Sequence, residues 1–263
     1  MASEPRGVQS IEMGGKLLTA LVQIGRPAML RDLAQRAEMG AAQAHAYLVS
    51  FRKLGLVDQD PASGRYLLGP FALQLGLARL RGFDPLQKAT SAARELAEEL
   101  GLMVTVSVWG THGPTIVQVQ EAALPVHVNL RAGAVFTLTG TATGQLFATF
   151  QPVSIIAPML AAELALQGSS RMIGRPTSGE ALRTASTAIR ARGFATTEGV
   201  PVPGVNAISV PVFDHDGQIQ LAVTVIGHAE RLSVAEDGEV VVRVAQFGRD
   251  LSTELGYVAG ATP

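Results

Sequence analysis

From Ser10 onward, apolar residues Ile11, Leu17, Leu18, Leu21, Val22 and Ile24 recur at helical spacing until Gly25 and Pro27 interrupt them. A short second helix is expected from Leu30, with Leu33, Ala34 and Ala37 on one face. The tight turn Glu38-Met39-Gly40 leads into a third helix whose inner face is Ala44, Tyr47, Leu48, Phe51 and Leu54, and Gly55 is placed to end it. Two short extended runs, 56–59 and 65–68, flank Asp60-Pro61-Ala62-Ser63-Gly64, the residue types of a hairpin loop. Two short helices joined by a glycine-containing turn form a helix-turn-helix, and the hairpin behind them makes it a winged one. A generic three-helix domain with a β-ribbon is the plainer alternative.

Residues 70–81 keep Phe71, Leu73, Leu77 and Leu80 near helical spacing, which reads as a linker helix before the break at Gly82-Phe83-Asp84-Pro85. Asp84 as N-cap and Pro85 at the first helical position then open a helix carrying Leu86, Ala89, Ala93, Leu96, Ala97 and Leu100. Beyond it, strands are expected at 103–109, 115–120, 126–130, 194–197, 207–213 and 219–226, the last two joined by the turn Asp214-His215-Asp216-Gly217. Helices are expected at 142–150, 154–167, 178–192 and 234–255. Thr177 with Glu180, and Ser233 with Glu236, have the spacing of capping boxes. The fold class is therefore α+β: a winged helix-turn-helix head at 1–69, a linker helix at 70–82, and a sensor-like α/β domain at 83–263.

Composition narrows the function. Apolar residues make up 47% of the 263, too many for a disordered chain. No cysteine is present, which removes disulfides, thiolate nucleophiles and cysteine-ligated metals together. Apolar runs such as 219–226 are far shorter than the roughly 20 residues that span a bilayer, and no leader pattern is visible, so a cytoplasmic protein is expected. Residues 1–82 carry ten Lys/Arg against six Asp/Glu, whereas 83–263 carry eleven against sixteen. A basic head on an acidic body points to a polyanionic partner for the head, namely double-stranded DNA.

The order and spacing of several fragments resemble the IclR family of bacterial transcriptional regulators over nearly the whole chain. In the head these are Leu30-Arg31-Asp32-Leu33-Ala34, Leu54-Gly55-Leu56-Val57 and Gly64-Arg65-Tyr66-Leu67-Leu68-Gly69. In the body they are Arg131-Ala132-Gly133, Ala142-Thr143-Gly144, Arg192-Gly193-Phe194-Ala195, Pro203-Gly204-Val205 and Val210-Pro211-Val212-Phe213-Asp214. The resemblance implies a GAF-like effector-binding domain, a homodimer or dimer of dimers, a near-palindromic operator, and a small organic acid as effector.

With Ala44, Tyr47, Leu48 and Phe51 turned inward, the 100° step per residue puts Ala42, Ala46, Val49 and Lys53 outward, flanked by Gln43, His45 and Ser50. Gln43 can pair with adenine, His45 is a second polar reader, and the small apolar residues can meet thymine methyls. Phosphate contacts are expected from Arg26, Arg31, Arg52, Lys53 and Arg65. The family commonly has Ser-Thr and an Arg on this face; Ala42, Gln43 and Ala46 stand there instead. A merely solvated helix surface is the alternative.

In the body, 137–144 holds four threonines and two glycines before or at a helix start. Free N–H groups, the helix dipole and hydroxyls there can hold an anion without a cationic side chain, or the segment can simply cap a buried helix. The resemblance implies that Thr139, Gly140, Thr141, Ala142 and Thr143 belong to the effector site. Trp109, Val126, Val128, Phe136, Ala207, Thr224 and Ile226 are its expected walls, and Glu198 is either a polar contact or a solvated loop residue. Ala207 replaces a frequent family cysteine, and Thr224 and Ile226 replace serines, which favours an aromatic or apolar carboxylate over glyoxylate. No metal or other cofactor is expected: Asp214-His215-Asp216 are adjacent in a turn and cannot converge on one ion. No nucleophile elbow or phosphate loop is present. The reading is a ligand-responsive regulator, most simply a repressor of a catabolic operon, and not an enzyme. A ligand-independent regulator and an enzyme acting on a small acid are the alternatives.

Overall fold

A computed structural model describes residues 7–81, 84–121, 128–165 and 172–258. The chain divides into two compact units, Met1–Phe83 and Asp84–Pro263.

The first unit is built from α1 (Gln9–Ile24), α2 (Leu30–Arg36), α3 (Ala41–Lys53), the hairpin β1 (Val57–Gln59) and β2 (Tyr66–Leu68), and α4 (Pro70–Arg81). Gly25 ends α1 in the left-handed region at φ 65°, its N–H donating to the Leu21 carbonyl. In the turn between α2 and α3 the left-handed residue is Glu38 (φ 55°) rather than Gly40, which is extended and serves as the N-cap of α3. Leu17, Leu21, Leu33, Ala44, Leu48, Val57 and Tyr66 form one buried cluster, so α1, α2 and α3 each contribute one face and the hairpin closes it. Tyr66 also exchanges backbone hydrogen bonds with Ala28, pinning the wing to the loop before α2. Leu54, expected on the inner face of α3, is 61% exposed: it is the C-cap, where the chain has already left the helical path.

Among the described residues the second unit contains a seven-stranded sheet in the order β6-β5-β4-β3-β9-β8-β7. Its strands are β3 (Met103–Gly110), β4 (Gly113–Gln120), β5 (Val135–Phe136), β6 (Met172–Ile173), β7 (Ala195–Thr197), β8 (Val205–Phe213) and β9 (Ile219–His228). All neighbours are antiparallel except β5 and β6. The helices are α5 (Pro85–Leu100), α6 (Ala142–Phe150), α7 (Val153–Ala165), α8 (Gly179–Arg192) and α9 (Glu239–Glu254). Asp84 caps α5 as expected, accepting from the N–H groups of Leu86 and Gln87. On β8, Ser209 lies beside Thr224, which meets Thr143 of α6, while the next residue, Val210, packs on Gly248 of α9. Strand alternation therefore puts α6 and α9 on opposite faces. Both faces being covered, β9 is buried along nearly its whole length.

Three local expectations change. The cap of α8 is Ser178, whose hydroxyl accepts from Ala181 N–H, while Thr177 is held by Thr139 instead. Helix α9 starts at Glu239 after Gly238, and the Ser233 hydroxyl only closes a short turn with Ala235 N–H. Residues 128–130 are not a strand; 126 and 127 lie outside the described residues.

Candidate DNA interface and ligand cavity

On α3, Ala42, Gln43, His45, Ala46, Ser50, Arg52 and Lys53 are exposed and Val49 is half-buried. Arg26, Arg31 and Arg65 are exposed as well. Internal bonds decide what this surface can offer. The Ser50 hydroxyl donates back to the Ala46 carbonyl at 3.2 Å, removing one donor from an already apolar face. Arg52 donates to Gln59 Oε1 at 2.9 Å, and Gln59 Nε2 donates to the Gly64 carbonyl at 2.9 Å, so the end of α3 is tied to the wing. Arg65 reaches the Pro27 carbonyl at 3.3 Å. Gln43 and His45 are left as the polar side chains exposed on the first two turns of α3. At the wing tip, the Ser63 hydroxyl and backbone N–H groups donate to Asp60 and hold its carboxyl below the usual range.

In the second unit, a cavity of about 170 Å³ opens at the start of α6. Of the expected walls, Val128, Phe136, Thr141, Ala142, Thr143, Ala207, Thr224 and Ile226 come together around it. Four others do not. Trp109 packs its ring 5.8 Å from Phe147 in the neighbouring core, Glu198 is exposed, and Thr139 and Gly140 are buried behind the wall. Val126 lies outside the described residues. Asn129, Leu130, Ile173, Thr197, Val200, Pro201, Val202 and Val205 also line the cavity, beyond those that the sequence pattern singles out. Pro203-Gly204-Val205 is the legible trace of the corner that carries several of them.

The threonine-rich segment divides into a support and a floor. Glu163, buried on α7, accepts from Leu138 N–H at 2.5 Å, from Thr139 N–H at 3.0 Å and from the Thr139 hydroxyl at 2.6 Å. Thr139 in turn receives Thr177 N–H at 2.7 Å, and its carbonyl accepts from Gln145 Nε2 at 2.9 Å. Thr141 caps α6, accepting from Gly144 N–H at 3.0 Å and donating to the Thr137 carbonyl at 2.9 Å. Thr141 also lines the cavity, together with the next pair. Ala142 and Thr143 occupy the first helical positions, whose N–H groups have no acceptor inside the helix. The hydroxyls of Thr143, Thr224 and Ser209 form a buried chain at 2.8 and 2.9 Å. Among the described residues no side chain lining the cavity is charged, so an anion placed there meets backbone N–H groups, hydroxyls, the Asn129 carboxamide and the helix dipole.

Residues 78–253 match the family model described as bacterial transcriptional regulator IclR, C-terminal, and residues 10–61 match the IclR helix-turn-helix domain. The chain belongs to the IclR family. Among its relatives, the glycerol operon regulatory protein of Streptomyces griseus is 31% identical, covering 95% of this chain and 98% of that protein. The protein of the same name from Streptomyces coelicolor is 29% identical with the same coverage. Of solved structures, Pseudomonas aeruginosa HmgR superposes with a TM-score of 0.82 at 34% identity, over 96% of this chain and all of that one. IclR proteins are DNA-binding transcriptional regulators and not enzymes, and the winged head and α/β body are accordingly the parts of a regulator. No helix among the described residues is long and apolar enough to cross a membrane, and no three of their His, Asp and Glu residues cluster as a metal site.

Proposed function

We propose that this IclR-family chain is a cytoplasmic, ligand-responsive repressor of a catabolic operon, with residues 1–69 as the DNA head, 70–82 as the linker and 83–263 as the effector domain. It binds a near-palindromic operator as a homodimer or dimer of dimers. Gln43 and His45 read base edges, Ala42, Ala46 and Val49 meet thymine methyls, and Arg26, Arg31, Arg52, Lys53 and Arg65 hold phosphates. Operon-level control is in keeping with the names of the Streptomyces relatives.

The observation that carries the effector assignment is the cavity at the start of α6, whose described lining is uncharged. It is walled by Phe136, Val128, Val205 and Ile226 and floored by Thr143 and Thr224, with the Ser209 hydroxyl bonded behind Thr224. A carboxylate fits against the Ala142 and Thr143 N–H groups, and the apolar wall favours an aromatic or aliphatic body on the same ligand. Calorimetry of benzoate, longer aryl carboxylates and glyoxylate tests this. At least one aryl carboxylate is expected to bind, and Ala207→Leu, which fills the wall, weakens it. Tight glyoxylate binding with no response to any aryl acid would defeat the assignment.

A further inference from the structure

A second cavity of about 340 Å³ lies in the effector unit between the last turn of α8, the outer half of β8, and α9. It opens beside a strand edge. β7 pairs only with residues 207–209 of β8, so Val210 to Phe213 have no β7 partner. That edge nevertheless has few N–H donors to offer: Phe213 N–H donates to the Ser252 hydroxyl at 3.0 Å, and Pro211 has no N–H. The backbone offers a ligand little here, and the side chains decide the chemistry.

Among the described residues, three arginines line the cavity and no carboxylate does. Arg192 is spent, pairing with Glu236 at 3.2 Å and donating to the Phe194 carbonyl and the Thr196 hydroxyl. Among the described residues the other two have no ion-pair partner. Arg190 gives one Nη2 bond to the Thr149 carbonyl and rests 5.7 Å from the Phe150 ring centre, leaving Nε and Nη1. Arg249 directs Nε and Nη2 to Gln246 Oε1, leaving Nη1. Beside them, Phe213 and Tyr257 lie 5.1 Å apart, centre to centre, and both line the cavity. Held guanidinium groups with unspent donors next to an aromatic wall suit a planar anion, because the arginine stem loses little further freedom on binding.

We propose that this cavity is a second ligand site, separate from the one at α6, that takes a small aryl anion with its ring against Phe213 and Tyr257 and its charge on Arg190 and Arg249. The chain has three tyrosines, and the other two, Tyr47 and Tyr66, belong to the head, so fluorine NMR of the 3-fluorotyrosine protein reports on Tyr257 with internal controls. Titrating benzoate should move the Tyr257 resonance saturably, with benzyl alcohol and inorganic phosphate each at least about tenfold weaker. The double variant Arg190→Gln, Arg249→Gln should weaken benzoate about tenfold or more, Arg190→Lys, Arg249→Lys should recover part of the loss, and Ala207→Leu in the first cavity should leave the Tyr257 response intact. An unmoved Tyr257 resonance, an equal response to benzyl alcohol or phosphate, or equal benzoate affinity in the folded double variant would overturn the proposal. So would loss of the response in Ala207→Leu.

Discussion

At the scale of single residues, Gly144 shows how the α6 cavity is held. A Cβ built there would sit 1.8 Å from the Thr137 carbonyl oxygen, and that contact is backbone, so no side chain can swing aside. Gly140 is equally confined, 2.0 Å from the Arg175 carbonyl oxygen. Gly144→Ala is expected to destabilise the effector unit by roughly 3 kcal/mol and to lower its affinity for aryl carboxylates, since relief requires moving the floor itself. Thermal unfolding with and without ligand checks this; an unchanged melting temperature would mean that the 137–144 backbone is freer than its packing implies. The sequence makes these residues visible without sorting them. Four threonines at a helix start look alike on paper, yet Thr139 serves Glu163 and Thr177 while Thr143 faces the cavity. The deciding residue is Glu163, a carboxylate inside an apolar helix 24 residues away, which no local pattern connects to Thr139. Trp109 escapes a sequence reading for a similar reason: alternation says that a residue points inward, not whether it meets a cavity or a neighbouring ring.

At the scale of elements, α5 and α9 are clasped by Arg243 and Glu99, whose two bonds measure 2.7 and 2.6 Å. The donated guanidinium bonds hold the Glu99 carboxyl below its ordinary value of 4.5. A depressed folded-state value means that the clasp stabilises above the unfolded value and is lost as pH falls through the folded one. Half the Glu99 side chain is exposed, so the contribution at neutral pH is at most about 1 kcal/mol. The melting-temperature gap between wild type and Glu99→Gln should be steady from neutrality to about pH 5 and shrink below pH 4.5. A gap that grows on acidification would contradict the assigned sign. Long periodic elements are the most legible: the three helices of the head, α5, α8 and the β8–β9 hairpin all follow from spacing and turn chemistry. Two-residue strands such as β5 and β6 carry no periodicity to detect. Helix starts slip where two capping residues compete, as Thr177 and Ser178 do, because either satisfies the local rule and tertiary bonds choose.

At the scale of the molecule, the proposed regulator would couple a head that reads DNA to an effector unit that takes an aryl carboxylate, and such coupling is a free energy rather than a single interaction. If the ligand alters operator affinity by some factor, operator must alter ligand affinity by the same factor, and such factors are typically about 5 to 150. Most of the head's affinity would come from phosphates, so binding should weaken steeply with salt, the logarithmic slope steepening by roughly 0.9 for each phosphate that the head neutralises. The most direct measurement is fluorescence anisotropy of a labelled duplex from the DNA flanking the chain's own gene, at fixed salt, with and without the aryl carboxylate that binds best. The predicted result is a dissociation constant that shifts about fivefold or more with ligand in the wild type and stays put in Ala207→Leu. Specific binding that ignores every aryl carboxylate, or an equal shift in Ala207→Leu, would contradict it.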